Sequence, residues 1–152
     1  MARERGEKII AVNRKARHDY FIEDAYEAGL VLHGTEVKSL RLGRVALKES
    51  FCAVKDLEMF AFGMHISPYE KGNIFNRDPM RPKKLLLHRA QITKLQSLVQ
   101  RQGYALVPLK LYLKDGRIKM ELGLCKGKKQ HDKRDDDAER SARRDMEWAM
   151  KQ

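Results

Sequence analysis

Apolar and polar positions alternate over residues 105–114, where Ala105, Val107, Leu109, Leu111 and Leu113 share one face. The same period of two returns over 117–124 with Ile118, Met120, Leu122 and Leu124. Asp115 and Gly116 lie between these runs, and Asp-Gly accepts the positive φ angles of a tight hairpin turn, so the two strands pair. Pro108 has no N–H for a ladder, which places its strand at an edge or bulges it there. A second hairpin is predicted from 50–54 and 59–66 around the polar turn 55–58. Phe60, Phe62, Met64 and Ile66 recur at period two in its second strand. Their alternation with small residues favours a core role over stacking on bases. Residues 21–32 are rich in β-formers, and Gly29 is the expected site of a bulge or bend.

Two stretches carry helical spacing instead. Ile92, Leu95, Leu98 and Val99 line one face of 89–102, and Gly103 ends it. Thr35 and Gly43 bracket a short helix whose inward candidates are Val37, Leu40 and Leu42. Residues 85–87 begin either a buried strand or the long helix itself. Residues 67–82 hold three Pro, one Gly and two Asn and read as a loop. Arg77, Arg81, Lys83 and Lys84 make its far end basic. Short strands in hairpins, with one clear and one short helix, predict a mainly β fold with α. The nearest architecture is an OB-like antiparallel β-barrel with the helices packed on it.

The pattern divides the chain in three. Residues 1–12 are polar apart from Ile9, Ile10 and Val12 and read as a flexible N-terminal arm. Residues 13–125 form the barrel. Residues 126–152 form a C-terminal tail with too few large apolar side chains for a core. In the tail Ala138, Ala142, Met146 and Met150 recur every four residues, and Asp135, Asp136 and Asp137 sit where a helix start favours negative charge. Such a helix is marginal alone in water, so the tail is expected to be disordered when free and helical on a partner.

Charge narrows the class of partner. The 152 residues carry a net +11 with a pI near 9.8, which points to nucleic acid or an anionic membrane surface. Two clusters concentrate it. The run KGKKQHDKR at 126–134 has five Lys or Arg against one Asp, and reads as a phosphate-binding block or a solvated charge run. The run NRKARHDY at 13–20 can contact phosphate, ribose and base edges together, or serve as a basic lead-in to the first strand. Aromatics make up only 7%, which disfavours a wide stacking platform. No apolar run is long enough to span a bilayer, and the charged N-terminus lacks the pattern of a signal peptide. Cys52 and Cys125 form no CxxC pair, in keeping with reduced thiols in the cytoplasm.

Catalytic patterns are missing from the sequence. The five His form no HExxH, and there is no GxSxG. Gly123, Gly127 and Lys128 approach a phosphate loop, but the glycines are one residue too close and Lys129 stands where Ser or Thr is needed. His131 and Asp132 beside lysines allow a small basic nuclease as an alternative, without a carboxylate set to hold its metal. No metal site and no cofactor are expected.

Five motifs in order, NRKARHDY at 13–20, EAG at 27–29, GTEVKSLR at 34–41, RPKKLLL at 81–87 and KGKKQHDKR at 126–134, closely resemble the SsrA-binding protein (SmpB) family. The resemblance implies an OB-like barrel that binds the tRNA-like domain of transfer-messenger RNA (SsrA). It also implies an adaptor of trans-translation in the cytoplasm, without enzymatic activity, that brings this RNA to stalled bacterial ribosomes. Implied partners are transfer-messenger RNA, the small-subunit RNA of the ribosome, and the alanyl-charged RNA complex with elongation factor Tu. Implied RNA contacts on the barrel are Asn13, Glu27 and Leu86, with Arg14, Lys15 and His18 beside them. The implied decoding-region contacts are Lys126, Lys128, Lys129, His131, Asp132, Lys133 and Arg134. Beyond Arg134 the chain departs from the family pattern, with six acidic against four basic residues. The anchor of its helix is expected at Met146, Trp148 or Met150. The other alternative is a generic OB-fold binder of single-stranded nucleic acid.

Overall fold

The computed structural model describes residues 7–128, and nine strands and three α-helices lie among them. β8 (Ala105–Lys114) and β9 (Arg117–Gly127) form the predicted hairpin, with Asp115 at φ 51° and Gly116 at φ 76° in its turn. β9 pairs along its other edge with β2 (Tyr20–Leu30). The sheet continues from β2 through β7 (Lys83–Leu86), β5 (Glu58–Phe62) and β4 (Phe51–Lys55) back to β8, and every pairing is antiparallel. These pairings close a ring, the barrel that the hairpin pattern predicts. Its narrowest seam is between β4 and β8, paired at Cys52 and Leu106. β3 (Val45–Ala46) and β6 (His65–Ile66) form a small separate ribbon.

The expected flexible arm over 1–12 is corrected at its end, because Lys8–Val12 forms β1. β1 pairs with Lys110–Leu113 of β8. It takes the ladder positions that β4 leaves free on that edge. The basic lead-in that follows is helical, for Arg14–Asp19 forms α1. At the other boundary β9 runs to Gly127, two residues into the expected tail, and its Leu124 and Cys125 are buried.

Bulges decide which side chains face inward. Pro108 pairs with Leu122 and Lys110 with Glu121, so Leu109 is the extra residue in β8. The single apolar stripe expected for this strand is therefore split. Leu106 and Leu111 face the main core with Met120 and Leu122, whereas Val107 and Leu109 join Ala16 of α1 and Cys125 in a second cluster. Gly29, in contrast, is no bulge. It continues the ladder to Leu86 on one side and Lys119 on the other, and a Cβ there would meet the Leu86 side chain at 3.3 Å.

The hairpin of β4 and β5 reverses an expectation. Met59 and Ala61 are buried, and Phe60 and Phe62 lie on the outer face. Gly63, at φ 71°, turns the chain so that Met64 and Ile66 then point inward. A Cβ at Gly63 would lie 2.6 Å from the Glu49 carbonyl oxygen, so glycine is required there. Phe62 stacks on Phe51 with ring centroids 5.5 Å apart, and Phe60 lies 6.2 Å from Phe62.

α3 (Arg89–Gln102) covers the core with Ile92 and Leu95 and ends at Gly103 in the left-handed region. α2 (Gly34–Arg41) buries Leu40 but leaves Leu42 exposed, and His33 rather than Thr35 is its N-cap. Glu36 of α2 is buried and paired with Arg81, which it meets at 2.5 Å. Burial alone would raise the Glu36 carboxyl, but hydrogen bonds from Arg81 and the His33 N–H lower it overall.

Lys83 corrects the expected basic surface, since it is wholly buried. Its ammonium donates to the carbonyls of Met64 (2.6 Å) and Pro79 (2.9 Å). Burial lowers its pKa from 10.5 to about 8, although Glu36 pulls the other way. Between these values the unfolded chain holds the proton that the folded chain has released, so stability due to Lys83 rises with pH. In urea melts from pH 7.5 to 10.5, the native protein should gain up to about 3 kcal/mol relative to Lys83→Met. A constant difference across that window would show that the amine is not so perturbed.

Candidate nucleic-acid interface

Glu27 lies on the outer face of β2, opposite Glu121 of β9. Two residues of β8 reach it across β9. The Tyr112 hydroxyl donates to Glu27 Oε2 at 2.7 Å, and the Lys114 ammonium donates to the same oxygen at 3.1 Å. These two hydrogen bonds, Tyr112 first, hold the carboxyl below its ordinary range against a small opposing effect of burial. The Tyr112 phenol is pushed up, by burial and then by this carboxylate. Glu27 is thus an ionised acceptor in a fixed orientation with 39% of its side chain exposed. An ionised carboxylate offers about four lone-pair sites, so acceptor capacity remains for a base N–H or a ribose hydroxyl.

Leu86 stands beside it. The side chain rests against Gly29, where no Cβ holds it off, and remains 53% exposed. Glu27, Gly29, Leu86, Lys84, Lys119 and Arg89 are among the walls of one cavity of about 620 Å³. Glu27 and Leu86, singled out together from the sequence, are therefore brought into one site.

α1 adjoins this face through ions. Arg17 lies 3.7 Å from Glu121, which also meets Lys110 at 3.4 Å. Arg14, Lys15 and His18 are exposed on the same helix. Lys15 is paired with Glu49 and His18 with Asp19.

Asn13 departs from the contact expected of it. It is 2% exposed, and its amide donates to the carbonyls of Leu47 (3.1 Å) and Pro108 (2.9 Å). Its side-chain oxygen accepts the Ala16 N–H at 3.0 Å as the N-cap of α1, and its own backbone N–H donates to Leu109 O at 2.8 Å. The β8 bulge turns two carbonyls out of the ladder, and Asn13 satisfies both. Both amide hydrogens are engaged in this way, so Asn13 positions the basic helix instead of presenting a free donor to RNA.

Of the basic block, Lys126 and Lys128 fall within the described residues. The Lys126 ammonium lies 4.9 Å from the centre of the Tyr104 ring and 3.9 Å from Glu23, to which the Tyr104 hydroxyl donates at 2.8 Å. Lys128 lies 5.1 Å from the centre of the Phe21 ring. Lys129, His131, Asp132, Lys133 and Arg134, together with Met146, Trp148 and Met150, lie outside the described residues. Cys52 and Cys125 are free and buried, and burial raises both thiols, Cys125 to about 11. No group of three metal-ligating side chains occurs among the described residues. No helix there is long and apolar enough to cross a membrane.

A family model described as SmpB protein matches residues 10–152. The SsrA-binding protein of Clostridium beijerinckii is 60% identical over 100% of this chain and 97% of its own length. The chain belongs to the SmpB family. The SsrA-binding protein of Acetivibrio thermocellus is 58% identical over 100% of this chain and 98% of its own. A solved structure described as "tmRNA-SmpB: a journey to the center of the bacterial ribosome" contains a similar chain, with a TM-score of 0.65 and 49% identity. The similarity covers 78% of this chain and 83% of that one. The SmpB match spans both the barrel and the residues that follow it.

Tyr112 and Lys114 escaped sequence reading. Tyr112 falls between the apolar positions of its strand, which shows that it points outward but not that it meets a residue 85 positions away.

Two substitutions test this arrangement. Asn13→Ala should cost about 2 kcal/mol in chemical denaturation, because it removes a cap and takes the amide donor from the buried Pro108 carbonyl, whereas the Leu47 carbonyl keeps the Ser50 N–H and hydroxyl. Tyr112→Phe should raise the Glu27 pKa toward that of an ordinary glutamate, as read by carboxyl NMR titration. Stability contributed by the Glu27 carboxylate is present above the unfolded pKa and is lost as pH falls through the folded one, and this acid-side loss should shrink in the variant.

Proposed function

We propose that this protein is an RNA-binding adaptor of trans-translation. It recognises the tRNA-like domain of transfer-messenger RNA and accompanies it to stalled ribosomes in the bacterial cytoplasm. The observation that carries this reading is the pre-oriented Glu27 carboxylate on a basic chain. A carboxylate repels phosphate, so it adds nothing to indiscriminate binding of polyanions. It contributes only where a folded RNA presents hydrogen-bond donors, which is the requirement for choosing one structured RNA among many. Leu86 beside it supplies an apolar surface for a base or sugar, and Arg14, Lys15, Arg17 and His18 face the backbone.

The relatives that carry the name SsrA-binding protein, and the similar chain described with tmRNA and the ribosome, support the choice of RNA and partner. On this reading Glu27, Leu86 and α1 hold transfer-messenger RNA. The basic block with Lys126, Lys128, Lys129, Lys133 and Arg134 neutralises phosphates of the decoding region, where His131 stacks on a base and Asp132 lies between. The remaining tail enters the vacant mRNA path as a helix. The alanyl-charged RNA complex travels with elongation factor Tu, and the protein catalyses no reaction itself.

Binding of the full chain to transfer-messenger RNA, an ordinary tRNA and a random RNA at one physiological salt concentration tests this directly. The first should bind roughly a hundredfold tighter than the random RNA. Glu27→Ala should remove about tenfold of that preference while leaving random-RNA affinity within about twofold. A chain ending after Lys128, which keeps all of β9, should retain RNA binding and lose rescue of stalled ribosomes. Equal affinity for all three RNAs would refute the reading.

A further inference from the structure

The loop after β6 is built into a wall against α2. Asn76 closes it by accepting the Tyr69 N–H and donating to the Tyr69 carbonyl, each at 2.8 Å. The Thr35 hydroxyl donates to the Phe75 carbonyl at 3.3 Å. Gly72 presses so close that a Cβ would lie 2.8 Å from the Thr35 methyl. Between loop and helix lies a cavity of about 370 Å³, within the range of small-ligand sites. His33, Lys38, Tyr69, Lys71, Phe75 and Arg77 line it. It shares no lining residue with the cavity at Glu27 and Leu86.

Its chemistry is one-sided. Three cations and an imidazole face two aromatic rings, and no carboxylate is among the walls. The acidic residues of the neighbourhood are engaged elsewhere. Glu36 pairs with Arg81, Glu70 pairs with Arg44, and Asp78 accepts the Met80 N–H. The Lys38 ammonium lies 5.3 Å from the centre of the Tyr69 ring, and Phe75 is 72% exposed. Cations without an ion pair among the described residues, beside an exposed ring, match what a nucleotide needs, a phosphate partner and a stacking face.

We propose that this cavity is a second RNA site, which receives one unpaired nucleotide with its base on Phe75 and its phosphate among Lys38, Lys71 and Arg77. With the Glu27 face occupied by one RNA, such a site lets the barrel hold a second RNA segment at the same time. The proposal goes beyond the adaptor reading and stands on different residues.

The test uses the full chain and a 5′-phosphorylated single-stranded pentaribonucleotide, followed by fluorescence anisotropy, with polyglutamate as a competitor. Lys71 and Arg77 are exposed and have no ion pair among the described residues, so a Lys71→Gln/Arg77→Gln variant should melt like the native protein. That variant and Phe75→Ala should each weaken oligonucleotide binding at least about fivefold, with affinity for transfer-messenger RNA within about twofold of native. The salt dependence should fall by about one phosphate contact in the charge variant and stay unchanged in Phe75→Ala. Unchanged binding in Phe75→Ala would overturn the proposal, because charge alone would then explain the affinity. Displacement by polyglutamate as effective as by RNA would overturn it in favour of an acidic protein partner. Parallel loss of transfer-messenger RNA binding would merge the cavity with the Glu27 face and also overturn it. The adaptor reading fails separately, through an absent effect of Glu27→Ala.

Discussion

β9 is hydrogen-bonded along both edges, to β2 and to β8, and the rest of the molecule depends on that double pairing. It closes the ring of strands, buries Met120, Leu122 and Leu124 inside it, and sets the distance between β2 and β8. Tyr112 and Lys114 can reach Glu27 only because β9 holds their strand one place away. The same strand carries Glu121, through which Arg17 and Lys110 join helix and sheet. The basic tail begins where this strand ends, so its root is fixed by the barrel.

The charges are organised as much by their acidic members as by the basic excess. Glu36, Glu49, Glu58, Glu70 and Glu121 each hold a cation of a neighbouring element. The exposed pairs among them, unlike the buried Glu36 with Arg81, contribute little to stability, on the order of 0–1 kcal/mol each. Their larger effect is on the surface field, because they quench some lysines and arginines and leave others free. Lys15 and Arg17 of α1 are among the paired ones, whereas Lys38, Lys71 and Arg77, in the cavity between α2 and the Asn76-closed loop, have no ion pair among the described residues. A chain of +11 therefore presents separated basic surfaces, with a structured acceptor at Glu27 on one of them.

Two buried polar residues show how backbone irregularity creates demand for particular side chains. The bulge at Leu109 frees carbonyls that Asn13 satisfies, and the chain around Met64 and Pro79 leaves carbonyls that Lys83 satisfies. Each residue looks like a surface contact when its neighbours in sequence are basic. Each is instead a structural donor, since an unpaired buried carbonyl costs more than the burial of a well-bonded amide or amine.

Local chemistry was enough for the sequence to determine the hairpin at Asp115 and Gly116, the long helix ended by Gly103, the class of closed antiparallel sheet and the basic character of the partner surface. The motifs also brought Glu27 and Leu86 forward. Period two, helical spacing and turn preferences act between near neighbours, so they can be read along the chain. Only the tertiary structure decided the face of Phe60 and Phe62, the split of the β8 stripe, the burial of Asn13 and Lys83, and the partnership of Tyr112 with Glu27. A single positive-φ glycine at Gly63 or one extra residue at Leu109 inverts the side chains beyond it, and the alternation by itself carries no mark of where that happens. Hydrogen bonds between residues far apart in sequence exist only once the ring has closed, because closure is what brings their strands together.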